Sequence, residues 1–418
     1  MINQLFEHPY ALNRYLTGPL LEKRLAYLRH CAEQGFAQSS LRLIAHYQLV
    51  VTDYLDLQTA RAVTPSEIEA AADRWAQRPF QTLNPNGTFS LCARNRFIWN
   101  ATNWLRFLGR LQEPPPLPRP FAQMMSEFAN FMRHERGLSE TTIAYRCQRV
   151  EHFLSQVLDP NCALAQLTIT QIDDAFLQRI NQGGYARCSV HALASALRAF
   201  FRYAANRGWC RSDLAEAIKA PRVFRHESLP FSPTWEEVRR LIESVGGQQP
   251  VDVRDRAILL LLAHYGLRAG EVCTLQLDDL DWEQEIIRLR RNKDGRPQRL
   301  PLTQTVGDAI LRYLKEVRPR VARRELFLTL RPPIHPLNHK TVYQLVRRRW
   351  KPLGVAIAHH GPHSLRHACA TRLINQGVSL KEIGDQLGHR DLETTRIYAK
   401  VDLTRLRAVA DFDLGGLL

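Results

Sequence analysis

Apolar residues recur at intervals of three and four along most of the chain, the spacing of helices that bury one face. After Gly35-Phe36, the residues Ser39-Ser40-Leu41 open a stripe through Ile44, Val51 and Leu55, and Val63-Thr64-Pro65-Ser66-Glu67-Ile68 follows. The same order returns further on. Gly137-Leu138 precede Thr141-Thr142-Ile143, a stripe through Val150, Phe153 and Leu154, and then Leu167-Thr168-Ile169-Thr170-Gln171-Ile172. Each passage ends in an aromatic-rich helix, Phe97-Ile98-Trp99 to Trp104-Leu105-Arg106-Phe107 in the first and Leu193 to Phe200-Phe201-Arg202-Tyr203 in the second. Serine or threonine stands where N-caps belong. The pattern predicts two helical modules related by duplication, the alternative being convergence of two unrelated four-helix modules. The aromatic stripes read as core.

Two proline-rich seams, Glu113–Pro120 and Ala220–Pro230, interrupt the helical pattern, because proline fixes φ and restricts the residue before it. They predict domains at 1–112, 117–222 and 228–418. The third opens on a helix-start signal, Ser232-Pro233-Thr234 with Glu236-Glu237. A buried helix follows from Ala257 to Tyr265. Alternating runs at Ile286–Leu289 and Gln298–Leu302 then flank Asn292-Lys293-Asp294-Gly295, a hairpin signal. The expected fold class is therefore mainly α, with two helical domains ahead of a mixed α+β domain carrying a small antiparallel sheet.

Composition adds a partner. Lys and Arg number 57 against 41 Asp and Glu, for a net charge of +16. Each predicted domain is basic, by +4, +4 and +8 in chain order when the linkers are shared out. Such a surplus, mostly arginine, favours a polyanion, because the guanidinium fork matches two phosphate oxygens. Eight scattered cysteines (Cys31, Cys92, Cys147, Cys162, Cys188, Cys210, Cys273, Cys369) form no C-x-x-C pair and read as reduced thiols. Neither a signal-peptide pattern nor a long apolar run is present, so a cytoplasmic protein is expected.

Candidate chemistry concentrates in the third domain. Arg268 lies in Tyr265-Gly266-Leu267-Arg268-Ala269-Gly270-Glu271, beside a glycine turn at a helix start. Lys293 sits near the hairpin tip. His363 and Arg366, in Gly361-Pro362-His363-Ser364-Leu365-Arg366-His367, are three apart and share one face of a helix opening at Pro362. His389 follows Leu387-Gly388, and Tyr398 ends Thr394-Thr395-Arg396-Ile397-Tyr398. Singly each has a bland reading as a cap, an exposed charge or a core side chain. A metal site at His359-His360 and His363 is disfavoured, because no carboxylate or cysteine joins them at ligand spacing.

Together and in this order, the residues resemble the catalytic domain of the tyrosine recombinases, the phage integrase family, with its Arg, Lys, His-x-x-Arg, His or Trp, and Tyr. The resemblance covers about 228–410, and 120–222 for the SAM-like core-binding domain before it. It implies that Tyr398 attacks a DNA phosphodiester to give a 3′-phosphotyrosine and a free 5′-hydroxyl, with no ATP, metal or other cofactor. Arg268 and Arg366 would bind the non-bridging oxygens, whose charge grows in the transition state. His363 would assist as base, Lys293 would protonate the leaving 5′-oxygen, and His389 would bind the phosphate or buttress Tyr398. Glu271 would orient the arginines. The implied partners are double-stranded DNA with inverted-repeat recombination sites, and three further protomers or related recombinases in a tetramer.

The N-terminal 112 residues exceed a minimal family member and resemble extensions on recombinases of mobile elements. The tail Asp402–Leu418, with Leu403, Leu406 and Val409, would dock on a neighbour or fold back on its own domain. Type IB topoisomerase activity and a DNA-binding accessory role are the competing functions.

Overall fold

The computed structural model describes residues 1–57, 61–77, 91–113, 120–159, 164–183, 186–223, 232–291, 297–355, 359–389, 391 and 393–401. The chain divides into two compact units, Met1–Pro114 with Leu229–Leu418, and Pro115–Ser228.

In the first unit, the N-terminal residues form α1 (Ile2–Leu5), α2 (Pro9–Thr17), α3 (Leu21–Glu33), α4 (Gln38–Tyr54), α5 (Pro65–Ala76) and α6 (Leu91–Phe107). The predicted stripe of Leu41, Ile44, Val51 and Leu55 is buried in a core with Leu28, Ile68, Phe97 and Trp104. Thr64 starts α5 through a reciprocal capping box. Its hydroxyl accepts the Glu67 N–H at 3.2 Å, and the Glu67 carboxylate accepts the Thr64 N–H at 2.8 Å. Not every aromatic is core: Trp99, on the opposite face of α6 from Phe97 and Trp104, and Phe107, at its last position, are exposed.

The second unit comprises α7 (Ala122–His134), α8 (Glu140–Val157), α9 (Ile169–Gly183), α10 (Arg187–Asn206) and α11 (Leu214–Ala217). Its core gathers Phe128, Val150, Phe153, Leu154, Leu197, Phe200 and Phe201. Ser139 caps α8, and Thr168 and Gln171 exchange reciprocal bonds at the start of α9.

The remainder of the first unit has a separate core of its own, running from Val238 to Ala368. It begins with α12 (Trp235–Glu243), α13 (Pro250–His264) and α14 (Ala269–Thr274). Because α13 is apolar all round from Ala257 to Ala263, it sits at the centre of this core. Next come β1 (Leu280–Asp281), β2 (Ile286–Arg290) and β3 (Pro297–Pro301), an antiparallel sheet in chain order. The register pairs Ile287 with Leu300 and Leu289 with Gln298, turning Ile287 and Leu289 inward. The sheet is followed by α15 (Gln304–Arg312), α16 (His339–Trp350), α17 (Pro362–Asn375), α18 (Leu380–Leu387) and α19 (Glu393–Arg396). No helix among the described residues is long and apolar enough to cross a membrane. The hairpin tip with Lys293 and the tail 402–418 lie outside the described residues.

Candidate active site

Three chain reversals bring together the predicted residues among those described. The first is at Gly266, whose φ of +61° suits glycine and where an added Cβ would stand 2.5 Å from Leu387. Directly after it, Arg268 is the N-cap of α14. The Glu271 carboxylate accepts the Arg268 backbone N–H through Oε2 at 2.8 Å and the Arg268 guanidinium through Oε1 at 2.8 Å. Glu271 is fully buried, so its charge requires these partners. Glu271 thus touches both the backbone and the side chain of Arg268.

The second reversal opens α17. Pro362 takes the first helical position, where no N–H is needed, and Ser364 returns a bond to the Gly361 carbonyl. His363 then faces solvent while Arg366, three residues on, is 2% exposed. Arg366 donates to the Gly266 and Leu387 carbonyls, each at 2.6 Å. These bonds use two of the five N–H donors of a guanidinium. Burial, and then the charge of Arg268, push its pKa down to about 10, still cationic at neutral pH.

The third reversal ends α18. Gly388 adopts φ +64°, and the His389 N–H bonds to the Gly384 carbonyl while the Gly388 N–H bonds to that of Asp385, a Schellman closure. His389 is thereby aimed at the following helix, where its Nδ1 pairs with the Thr395 hydroxyl at 2.7 Å. Burial and the charges of Arg366 and Arg268 press its pKa down to about 3.

The last carbonyls of α18 have no partner within the helix. Three carbonyls at this end, of Gln386, Leu387 and Gly388, each accept a different arginine. Arg291 donates to Gln386 at 2.6 Å, Arg366 to Leu387 at 2.6 Å, and Arg268 to Gly388 at 3.2 Å. The negative end of a helix dipole and one carboxylate thus hold three guanidinium groups together.

Tyr398 follows α19 and packs with Ala370, Ile374, Ile383 and Leu387. It is 2% exposed, and burial raises its pKa to about 12 against the lowering effect of Arg366. Its hydroxyl lies 2.9 Å from Nδ1 of His367. The family motif puts His363 in the place of the base, but the histidine paired with Tyr398 is His367, one turn later on the same face of α17. His363 is exposed, with its ring 5.0 Å from that of His367. Burial, and then His363 and Arg366, lower the pKa of His367 to about 4, so the ring is neutral near pH 7.

Two residues of this site escaped the sequence reading. His367 carried a signal in its place four residues after His363. Arg291 carried one too. It continues the inward parity of Ile287 and Leu289, so a charged side chain stands where strand alternation calls for an apolar one. It is 4% exposed and donates to Glu271 Oε2 at 2.9 Å and to Gln298 at 2.6 Å.

The chain is similar to known proteins over much of its length. Residues 234–405 match the model of the phage integrase family, and residues 125–208 that of the phage integrase N-terminal SAM-like domain. The integrase/recombinase y4rA of Sinorhizobium fredii is 38% identical over 295 residues, 70% of this chain and 71% of its own. Tyrosine recombinase XerA of Thermococcus kodakarensis is 34% identical over 285 residues, 68% of this chain and 93% of its own. The chain belongs to the tyrosine recombinase family.

It is a tyrosine recombinase, an enzyme of site-specific DNA recombination, and DNA is its partner. Solved recombinases share the fold. A lambda integrase dimer bound to a core site covers 82% of this chain and 98% of its own, with TM-score 0.52 and 17% identity. The Tn1549 transposon integrase with circular intermediate DNA covers 69% and 99%, with TM-score 0.51 and 21% identity.

Proposed function

We propose that this tyrosine recombinase cuts and rejoins DNA through Tyr398 in the integration, excision or transposition of a mobile element. The hydroxyl attacks phosphorus, the bond to the 5′-oxygen breaks, and a 3′-phosphotyrosine forms. Arg268 and Arg366 hold the non-bridging oxygens, Lys293 protonates the departing 5′-oxygen, and His389 supports the phosphate and the turn before Tyr398. Attack by a 5′-hydroxyl from another duplex then expels the tyrosine, which recovers its proton. The observation that carries the reading is the buried Tyr398 hydroxyl, 2.9 Å from a neutral histidine.

With a tyrosine pKa of about 12, forming free phenolate at pH 7 costs on the order of 7 kcal/mol. Transfer of the proton during attack avoids most of that cost. His367 accepts it through Nδ1, with its ring proton on Nε2. His363, at the exposed edge of the pair, binds the phosphate or relays the proton to solvent.

The reading includes three domains, 1–112, 117–222 and 228–418, with the first a duplicate of the second and a further grip on DNA. Supporting it, the Thr64–Glu67 box recurs as Thr168–Gln171. Likewise Gly109 and Gly208, both at positive φ, close α6 and α10 with matching bonds, Arg110 to Leu105 and Trp209 to Ala204. The active assembly is a tetramer on inverted-repeat sites, of four copies or with related recombinases, working in the cytoplasm.

The test begins with duplex DNA enriched from a random library by the Tyr398→Phe protein. On a nicked version of that selected site, the wild type should form a denaturant-stable adduct, whereas Tyr398→Phe should bind equally and form none. An adduct that survives the substitution overturns the reading. Plasmids with two selected sites should yield recombinants; relaxation alone would indicate a type IB topoisomerase.

A further inference from the structure

The site holds three guanidinium groups, Arg268, Arg291 and Arg366, around one buried carboxylate, Glu271. Glu271 shares its oxygens between two of them, Oε1 with Arg268 and Oε2 with Arg291. Arg291 also seals the C-terminus of α18 through the Gln386 carbonyl and fills the space over Gly388, where an added Cβ would stand 2.3 Å from its Nε. Without Arg291, the desolvated carboxylate would be hydrogen-bonded by Arg268 alone and would offset more of the charge that Arg268 presents to a phosphate.

We propose that Arg291 is a positioning residue for the cleavage reaction: by taking part of the Glu271 carboxylate and anchoring the end of α18, it leaves Arg268 oriented and in surplus positive charge for the transition state. The inference rests on the assignment of Arg268 to the scissile phosphate. Arg291 itself acts through its neighbours, since its side chain is buried against Glu271, Gln298 and Gln386.

A structural role alone would slow cleavage of any scissile link alike. A charge-balancing role depends on the charge of the link. The test compares single-turnover strand cleavage of the selected site with a normal phosphodiester and with a neutral methylphosphonate at the scissile position. Arg291→Met should slow the phosphodiester by about 10- to 100-fold, the range expected for losing a hydrogen bond to a charged group. The methylphosphonate should stay near the wild-type rate. Arg291→Lys, which restores the charge without the fork, should recover part of the loss. In an Arg268→Ala protein, Arg291→Met should add little further slowing. If Arg291→Met does not fold, Arg291→Gln, which keeps a donor for Gln386, takes its place. Equal slowing of both links, or full additivity with Arg268→Ala, overturns the inference. If Arg268→Ala itself slows both links equally, the assignment of Arg268 to the phosphate fails instead.

Discussion

Buried ionisable residues in this site have their charge states set by what surrounds them. His389 is held neutral, its pKa lowered to about 3 by burial and the arginines. In an unfolded chain it would titrate near 6.5. Its neutral form therefore contributes stability that is complete above about pH 6.5 and is lost as the pH falls towards 3. His389→Gln cannot be protonated, so the drop in urea midpoint between pH 7 and pH 4 should be smaller than in the wild type. An unchanged drop would show that other groups account for it. Lys293 is tested by chemistry, since its turn lies outside the described residues. Lys293→Ala should slow cleavage of a normal link much more than of one with a 5′-sulfur leaving group, which needs no proton. Equal slowing would remove it as the acid.

At the scale of elements, the site depends on how α18 begins and ends. Ser379 starts it with a capping box: the Ser379 hydroxyl accepts the Glu382 N–H, and the Glu382 carboxylate accepts the Ser379 N–H. At the other end, three arginines take the carbonyls of residues 386, 387 and 388. Ser379→Ala should lower unfolding free energy by about 1 kcal/mol in urea titration, the usual effect of losing a cap. Gln298 ties β3 to the same helix end through the Asp385 carbonyl at 2.9 Å, so the sheet and α18 share one anchor. Strand and cap positions were largely readable in advance, because caps and alternation are local, but α13 starts at Pro250 and not at the predicted Ala257, since the charged first turn hides its start. Thr234 and Glu237 form the box that their spacing implied, and β2 pairs with β3 as the hairpin signal implied.

For the whole molecule, the question is what the extra N-terminal module does. Deleting residues 1–112 should shorten the hydroxyl-radical footprint on the selected site and flatten the dependence of binding on salt, because fewer phosphates are then neutralised. A full-length footprint with the same salt slope would assign the module to protein contacts. The module has its own apolar core, from Ile2 to Leu105.

The sequence by itself determined the helical modules, the hairpin and six catalytic candidates, since each depends on a local period, a cap or a short motif. Tertiary structure decided which groups meet. His367 pairs with the Tyr398 hydroxyl, because the short helical turn after α19 packs against α17. Arg291 joins Arg268 and Arg366 only where the end of α18 lies against Glu271 and β2. Such partners are up to 120 residues apart along the chain, as Arg268 and Gly388 are. No local pattern encodes a contact at that separation, and only the packing of the cores brings it about.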